Sequence, residues 1–338
     1  MTTRISDLYN ADVYRALDPV DSIEKTTIYT SGAVVRNEAL DFRVQTGITT
    51  QSGIITMPYW KDLGDTEANV SSDDPAVEAT PENIGMDSMK ARVSFLNKSF
   101  GVADLAAELS GDAPMQRIRN RFGSYWTRQF QSRLVNTMTG VLASNVANNG
   151  GDMLVDVSGE TAYQFDNDVL MEARLTMGDQ MEGLSALVVH SQVYGQIHND
   201  VETVYDEILG VYIQRYAGMT LVVNDNVPVE FTNGTDATGG ITYTSYVVGA
   251  GAVGFGLGAP SVPTEVDRKA QAGNGAGVEA IIERQTYALH PLGFNWTGAE
   301  GANASPTFAD LATAGSWSRK LSRKQVPLAF VKTRKGGA

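Results

Sequence analysis

Three short segments in the second half of the chain decide the fold: SALVVHSQVYGQI at 185–197, TSYVVGAGAVGFGLG at 244–258 and ERQTYALHPLGFNW at 283–296. Each is apolar and rich in glycine and aromatic residues. Their β-branched runs predict buried strands. None of them carries a nucleophile, a base and an oxyanion-binding group in the arrangement that covalent catalysis requires. The segments therefore indicate packing rather than chemistry.

The composition is that of a soluble protein with two or three lobes. Of its 338 residues, 42% are hydrophobic, and no apolar run approaches the ~18 residues of a membrane-spanning helix. The absence of cysteine excludes disulfides and thiolate metal sites. The N-terminus, MTTRISDLYNADVYRALD, lacks the apolar core of a signal peptide, so we expect synthesis in the cytoplasm and no contact with a membrane.

The charge is acidic overall but unevenly distributed. A net charge of −13 argues against a simple nucleic-acid-binding protein, which would need a basic surface. Residues 62–87 hold eight acids, among them Asp73 and Asp74, and no base. Residues 113–150 carry five arginines and no acid, and the sequence after Asp310 is also basic. Either these segments pair between subunits or they are solvated surfaces that cluster by chance.

A projecting hairpin is predicted over residues 49–95. Ile54–Trp60 (IITMPYW) has a strand pattern, and Ser88–Phe100 alternates as a returning strand. The long acidic stretch between them is rich in turn residues. Such a hairpin has too little core of its own and must lie on another surface. Aromatic residues at its outgoing end favour an interface or, equally, local packing. The aromatic residues are Tyr59 and Trp60, and Lys61 follows them at the same end of the strand.

The clearest helix is predicted over residues 112–148. Its apolar residues recur every three or four positions and form one stripe. They are Met115, Ile118, Phe122, Trp126, Phe130, Leu134, Met138, Leu142 and Val146. At ~1.5 Å per residue the helix would be roughly 50 Å long, and Gly123 and Gly140 mark places where it could bend. Its arginines would face a neighbouring subunit or nucleic acid, or else only solvent.

Two patterns resemble enzyme sites but fit structural roles better. Gly249–Gly254 matches GxGxxG, yet the following FGLGAP cannot form the helix that a dinucleotide site needs, which favours close backbone packing. His190 and His198, with Asp200 and Glu202 nearby, could be imagined as a zinc site. No HExxH motif is present, so structural histidines are the favoured interpretation. The sequence thus predicts no cofactor and no catalytic residue.

In their order and composition, the three quoted segments resemble the major capsid proteins of tailed bacteriophages with the HK97-type shell fold. The resemblance covers residues 30–300 or so and implies an α+β fold with no enzyme activity. It implies an N-terminal arm at residues 1–48, an E-loop hairpin at 49–95 and a peripheral domain at 96–159 whose spine helix is 112–148. An axial domain would follow at 160–258, a return to the peripheral domain at 259–298 and a basic C-terminal tail at 299–338.

The implied function is structural. Subunits would assemble into hexameric and pentameric capsomers of an icosahedral shell that encloses double-stranded DNA in the virion. Other copies of the chain are the expected partners, with scaffolding, portal and decoration proteins and non-specific DNA contacts as further possibilities. An encapsulin-like compartment enclosing cargo and, less favoured, a metal-dependent enzyme near His190 and His198 remain as alternatives.

The expected interface lies in the acidic hairpin, the long helix and the basic C-terminal segment. The C-terminal segment would contact neighbours, a scaffold or DNA, or else form a flexible, solubilising end. The residues expected at the interface are Tyr59, Trp60, Lys61, Asp73, Asp74, Arg117, Arg121, Arg128, Arg319 and Lys320.

Overall fold

The fold is mixed α+β, with sixteen strands among the residues that a computed structural model describes. The described residues are 33–45, 53–64, 66–71, 73, 74, 76, 78–110, 113–159, 164–206, 211–232, 240–298 and 305–336. The strands are β1 (Val34–Arg36), β2 (Ile54–Trp60), β3 (Met86–Ala103), β4 (Leu154–Asp156), β5 (Leu184–Val189), β6 (Glu202–Asp206), β7 (Val211–Tyr216), β8 (Met219–Val223), β9 (Val229–Thr232), β10 (Gly240–Gly249), β11 (Val253–Leu257), β12 (Thr264–Lys269), β13 (Val278–Pro291), β14 (Phe294–Trp296), β15 (Trp317–Arg319) and β16 (Leu328–Gly336).

Helices of very different length accompany these strands. The α-helices are α1 (Glu38–Gln45), α2 (Asp104–Ser110), α3 (Pro114–Asn148), α4 (Asn167–Leu175), α5 (Ser191–Ile197) and α6 (Phe308–Ala312). Short 3₁₀ turns occur at Gly178–Gly183, His198–Asp200, Ala314–Ser316 and Arg323–Gln325. Among the described residues, no helix is both long and apolar enough to cross a membrane. Most of the expected N-terminal arm lies outside the described residues.

Two large sheets organise the chain. The first, which we call the hairpin sheet, has the order β1-β11-β13-β3-β2, with β12 also paired to β13. The second, which we call the eight-stranded sheet, has the order β4-β16-β10-β5-β8-β7-β6, with β9 also paired to β10. A small β14–β15 ladder accompanies them. Strands distant in sequence are thus neighbours within each sheet, so long-range pairing fixes the topology.

Helix α3 connects the two sheets, and it confirms the prediction of a helix over 112–148. Pro114 occupies its first turn, where a missing N–H costs little, and Gly150 and Gly151 follow its end with positive φ angles. Its first half packs Phe122 and Trp126 on Ile281 of the hairpin sheet. Its second half lies in a core shared by both sheets. Residues of that shared core include Leu134, Met138, Val141, Val188, Tyr246, Phe255, Tyr287 and Phe330.

The glycine-rich segment after β10 serves close packing, as the sequence indicated. A Cβ on Gly256 would lie 2.6 Å from Leu40 Cγ of α1, and one on Gly258 would lie 2.6 Å from Val44 Cγ1. Glycine at these positions lets α1 lie directly against β11. No helix follows the GxGxxG pattern, because Gly254 is already inside a strand. The segment therefore lacks the helix N-terminus that would hold a pyrophosphate.

The C-terminal segment is not a flexible end, and here the sequence interpretation needs correction. Residues 305–336 include α6, β15 and β16. Strand β16 pairs with β10 from Gly240↔Gly336 to Val248↔Leu328 and runs parallel to β4. Ala329 and Val331 point to one core while Phe330 points to the other. Burial on both faces makes β16 an integral strand of the eight-stranded sheet.

The chain also changes sheets at places that differ from the expected boundaries. Strand β4, expected in the peripheral domain, pairs with β16 of the eight-stranded sheet. Strand β11, expected in the axial domain, pairs with β13 of the hairpin sheet. The crossing between the sheets therefore follows Gly249, which approaches Pro327 and Gly183 too closely to carry a side chain.

Candidate interaction surfaces

The hairpin of β2 and β3 projects beyond the core that anchors it. Its pairing runs from Ile54↔Arg92 to Trp60↔Met86. At the base, Ile55 and Ala91 are fully buried against Leu40. At the far end, the Trp60 side chain is 63% exposed, and the described residues of 61–86 are almost all exposed. The outer half of the hairpin therefore extends away from the subunit that anchors its base.

Apolar side chains lie exposed among the hairpin's acids, and the sequence interpretation missed them. Leu63, Val70, Ile84 and Met86 are all exposed, and Val70 reaches 87%. Trp60 and Met86 are directly opposite each other in the ladder and share a face. The sequence did carry a signal for them, namely apolar residues within an acidic, turn-rich stretch. A stretch whose only role is to stay solvated needs charged residues and no apolar ones. The concentration of exposed apolar groups in one stretch makes it a candidate binding surface.

Charges at the outgoing end of the hairpin meet the C-terminal segment. Asp87 Oδ2 lies 3.9 Å from Lys61 Nζ and 3.8 Å from Lys320 Nζ. A hydrogen bond from the Ser88 backbone N–H, aided by Lys320 and Lys61, lowers the pKa of the Asp87 carboxyl. Partial burial and the Asp87 charge raise the pKa of Tyr59. The structure therefore brings Tyr59, Lys61 and Lys320 to one place, around Asp87.

The arginines of α3 divide into surface and internal groups. Arg117, Arg121 and Arg128 are half-buried on the first half of the helix. Arg133 is instead buried, donates to the Pro306 carbonyl at 2.9 Å and stacks over the Phe308 ring. Helix α3 contains no carboxylate. The first half of α3 thus carries three half-buried arginines, and its second half uses arginine for internal packing.

Arg319 makes a largely buried ion pair within its own subunit. Its guanidinium makes two hydrogen bonds to the Asp152 carboxylate, at 2.7 and 2.8 Å. The Arg319 side chain is only 13% exposed. Asn145 also donates to Asp152, and these bonds lower the pKa of that carboxyl despite its partial burial. The pair ties the end of α3 to β15 and leaves little of the Arg319 side chain for an external contact, and the interface role expected for Arg319 stays a prediction.

The histidines near β5 have structural roles. His190 Nδ1 accepts from the Gln192 N–H and so caps α5. Ser191 Oγ and Asp225 Oδ1 both approach this same Nδ1, at 3.4 and 3.6 Å, whereas a catalytic triad needs them on different ring nitrogens. The His198 ring bonds the Gly195 carbonyl. No group of three metal-ligating side chains occurs within the described ranges.

Sequence comparison identifies the family. A profile of the family described as major capsid protein 13-like matches residues 109–327, more than half of the chain. The chain belongs to this family. It is also 29% identical, over 338 residues, to the major capsid protein of Bacillus phage SPP1, with 98% of each chain covered. The protein is therefore a structural subunit of a phage capsid and not an enzyme.

Structural comparison agrees with this family assignment. The capsid of Ralstonia phage GP4 matches with a TM-score of 0.54 at 10% identity, covering 89% of this chain and 87% of that one. The capsid of cyanophage Pam1 matches with a TM-score of 0.53 at 11% identity, covering 85% and 86%. At such low identity these matches establish the fold alone, the HK97-type capsid fold expected from the sequence. As a capsid protein, the subunit assembles with other copies of itself into a shell.

Proposed function

We propose that this capsid protein forms hexameric and pentameric capsomers of an icosahedral shell around double-stranded DNA. In this proposal the β2–β3 hairpin is the E-loop, α3 is the spine helix of the peripheral domain, and the eight-stranded sheet forms the axial domain. The chain would be made in the host cytoplasm. Scaffolding, portal and decoration proteins would be its further partners.

The projecting hairpin is the observation that carries the proposal. Its outer half combines a row of acids with exposed apolar side chains, among them Trp60 and Met86, and its own subunit leaves them uncovered. A two-stranded hairpin is marginally stable alone. A neighbouring copy offers cations for these acids, since Arg117, Arg121 and Arg128 lie on the first half of α3. In this arrangement, apolar contacts supply affinity while opposite charges set orientation.

Shortening the hairpin tests the proposal. We expect replacement of residues 62–84 by Asn-Gly to leave a folded subunit, because Lys61 N–H already bonds the Gly85 carbonyl and a two-residue turn can close there. Electron microscopy of the variant should reveal isolated subunits or open fragments in place of closed shells. Circular dichroism is the control for folding. Normal closed shells from this variant would contradict the role given to the hairpin.

Salt dependence tests the charge pairing separately. If Asp73 and Asp74 of one copy approach the arginines of another, assembly followed by light scattering should slow when salt rises from ~0.05 to ~0.5 M. The variant Asp73→Asn/Asp74→Asn should assemble more slowly at low salt and respond less to added salt. Trp60→Ala should weaken assembly at both salt concentrations. Equal salt responses of wild type and the Asn variant would argue against these two acids as contacts.

A further inference from the structure

A second projecting element, which we call the tyrosine hairpin, consists of β6 and β7 (residues 202–206 and 211–216). It lies at the edge of the eight-stranded sheet. Strand β7 joins that sheet through two residue pairs only, Arg215↔Thr220 and Tyr216↔Met219. The ladder between β6 and β7 covers five pairs, from Glu202↔Arg215 to Asp206↔Val211. Most of the hairpin therefore extends past the last strand that supports it.

The tyrosine hairpin carries apolar groups on both faces, and the two faces differ. Tyr205 and Tyr212 are directly opposite in the ladder, with ring centroids 5.0 Å apart, and are 52% and 75% exposed. Val204 and Ile213 form the next pair along the ladder, so they point to the opposite face. Val204 is exposed and Ile213 is half-buried. One face is thus aromatic with hydroxyl groups, and the other is aliphatic.

The aliphatic face is flanked by charge. Glu202 and Arg215 oppose each other at the base of that face, and both are exposed. Tyrosine rings pack well against β-branched side chains, and a phenol needs a hydrogen-bond partner when its ring is covered. On the aliphatic face, Val204 can pack against tyrosine rings, and the Glu202 carboxylate can accept a hydrogen bond from a tyrosine hydroxyl. The two faces of this hairpin are therefore complementary to each other.

We propose that the tyrosine face of one copy packs on the aliphatic face of the next, in a head-to-tail contact around a capsomer. The inference rests on the proposed assembly into capsomers and names the contact that closes the ring. A two-fold contact would join like faces and leave the other face in water. A contact between unlike faces repeats around a ring and covers both faces of every hairpin. It also supports a two-stranded unit that would be marginal alone.

Disulfide trapping in the full chain tests this contact. The chain has no cysteine, so introduced thiols have no native competitor. We expect shells of Tyr212→Cys/Val204→Cys, assembled reduced and then mildly oxidised, to give a ladder of cross-linked species up to pentamers and hexamers on non-reducing gels. The two positions point to opposite faces of one hairpin, which prevents a bridge within a single chain. Tyr205→Cys/Ile213→Cys provides a second pair of cysteines, which would cross-link if one hairpin lies on the next in a slightly different register.

The single variants separate the possible contacts. Tyr212→Cys alone should stay monomeric on the gel, and a cross-linked dimer from it would overturn the head-to-tail arrangement in favour of a two-fold one. Val262→Cys/Val266→Cys is a matched control, because these exposed valines lie before and within β12 of the other sheet, and it should give no ladder. Normal shells without a ladder from either hairpin pair would overturn the inference while leaving capsomer assembly intact. Failure of the wild type to form shells would instead count against the proposed function.

Discussion

Replacing Gly140 by alanine should destabilise the subunit by about 3 kcal/mol or more, even though alanine is the best helix former. Gly140 lies in the second half of α3, where the segment after α6 crosses the helix. An added Cβ would lie well inside contact distance of the Leu311 carbonyl oxygen, and 2.7 Å from Trp317 Nε1. Trp317 Nε1 donates to that same carbonyl at 2.8 Å. Neither group can move without separating the C-terminal segment from α3.

Gly123→Ala is the matched control, because Gly123 lies in the same helix and, apart from its chain neighbours and the adjacent helix backbone, no atom of the described residues lies within 4 Å of an added Cβ. There the substitution should stabilise the subunit by up to about 1 kcal/mol. Urea unfolding of the two variants beside the wild type measures both effects. Similar free energies of unfolding for Gly140→Ala and Gly123→Ala would contradict the close crossing of α3 and the C-terminal segment.

The stability of the subunit should fall between pH 6.5 and pH 4 because of His290. This residue is 4% exposed in β13, and within the described residues neither ring nitrogen has a hydrogen-bond partner. Burial lowers the pKa of His290 to about 4. In the unfolded chain the His290 ring binds a proton near pH 6.5, whereas in the folded chain it binds one only near pH 4. The stabilisation that His290 gives by staying neutral in the folded chain is therefore complete above pH 6.5. The free energy of unfolding declines by about 3 kcal/mol as the pH falls to 4.

His290→Leu removes this titration and fills a similar volume with an apolar side chain. Its free energy of unfolding should change less than that of the wild type across the same pH window. His198→Gln is the control, since it replaces a histidine whose side chain is at the surface and removes no buried group. Parallel pH profiles for the wild type and His290→Leu would mean that the imidazole is not buried in its neutral form.

Local patterns in the sequence predicted the elements whose partners lie nearby or on one face. Helix α3 was predictable because its apolar stripe repeats over ten turns or so. Strands β2 and β5 were predictable from their β-branched and aromatic runs, and the acidic hairpin from the turn residues between two such strands. These features depend on propensity and periodicity, which a single sequence carries.

Features that depend on distant partners were missed or misread. The carboxylate that pairs with Arg319 belongs to Asp152, 167 residues earlier in the chain, so charge alone suggested an exposed interface. Strand β16 was taken for a tail because its lysines and arginines obscure the strand pattern in the sequence. Its partner, β10, lies some 90 residues earlier in the chain. Gly140 suggested a bend, whereas the helix continues and the glycine admits a crossing segment. Pairing of this kind appears only once the topology is known.

Assembly is best measured by electron microscopy of the purified full chain, alone and coexpressed with candidate scaffolding proteins. We expect closed shells built from five-fold and six-fold clusters, with the acidic hairpin of each subunit lying over a neighbour. A chain that stays monomeric or dimeric under both conditions, with its hairpin uncovered, would contradict this expectation.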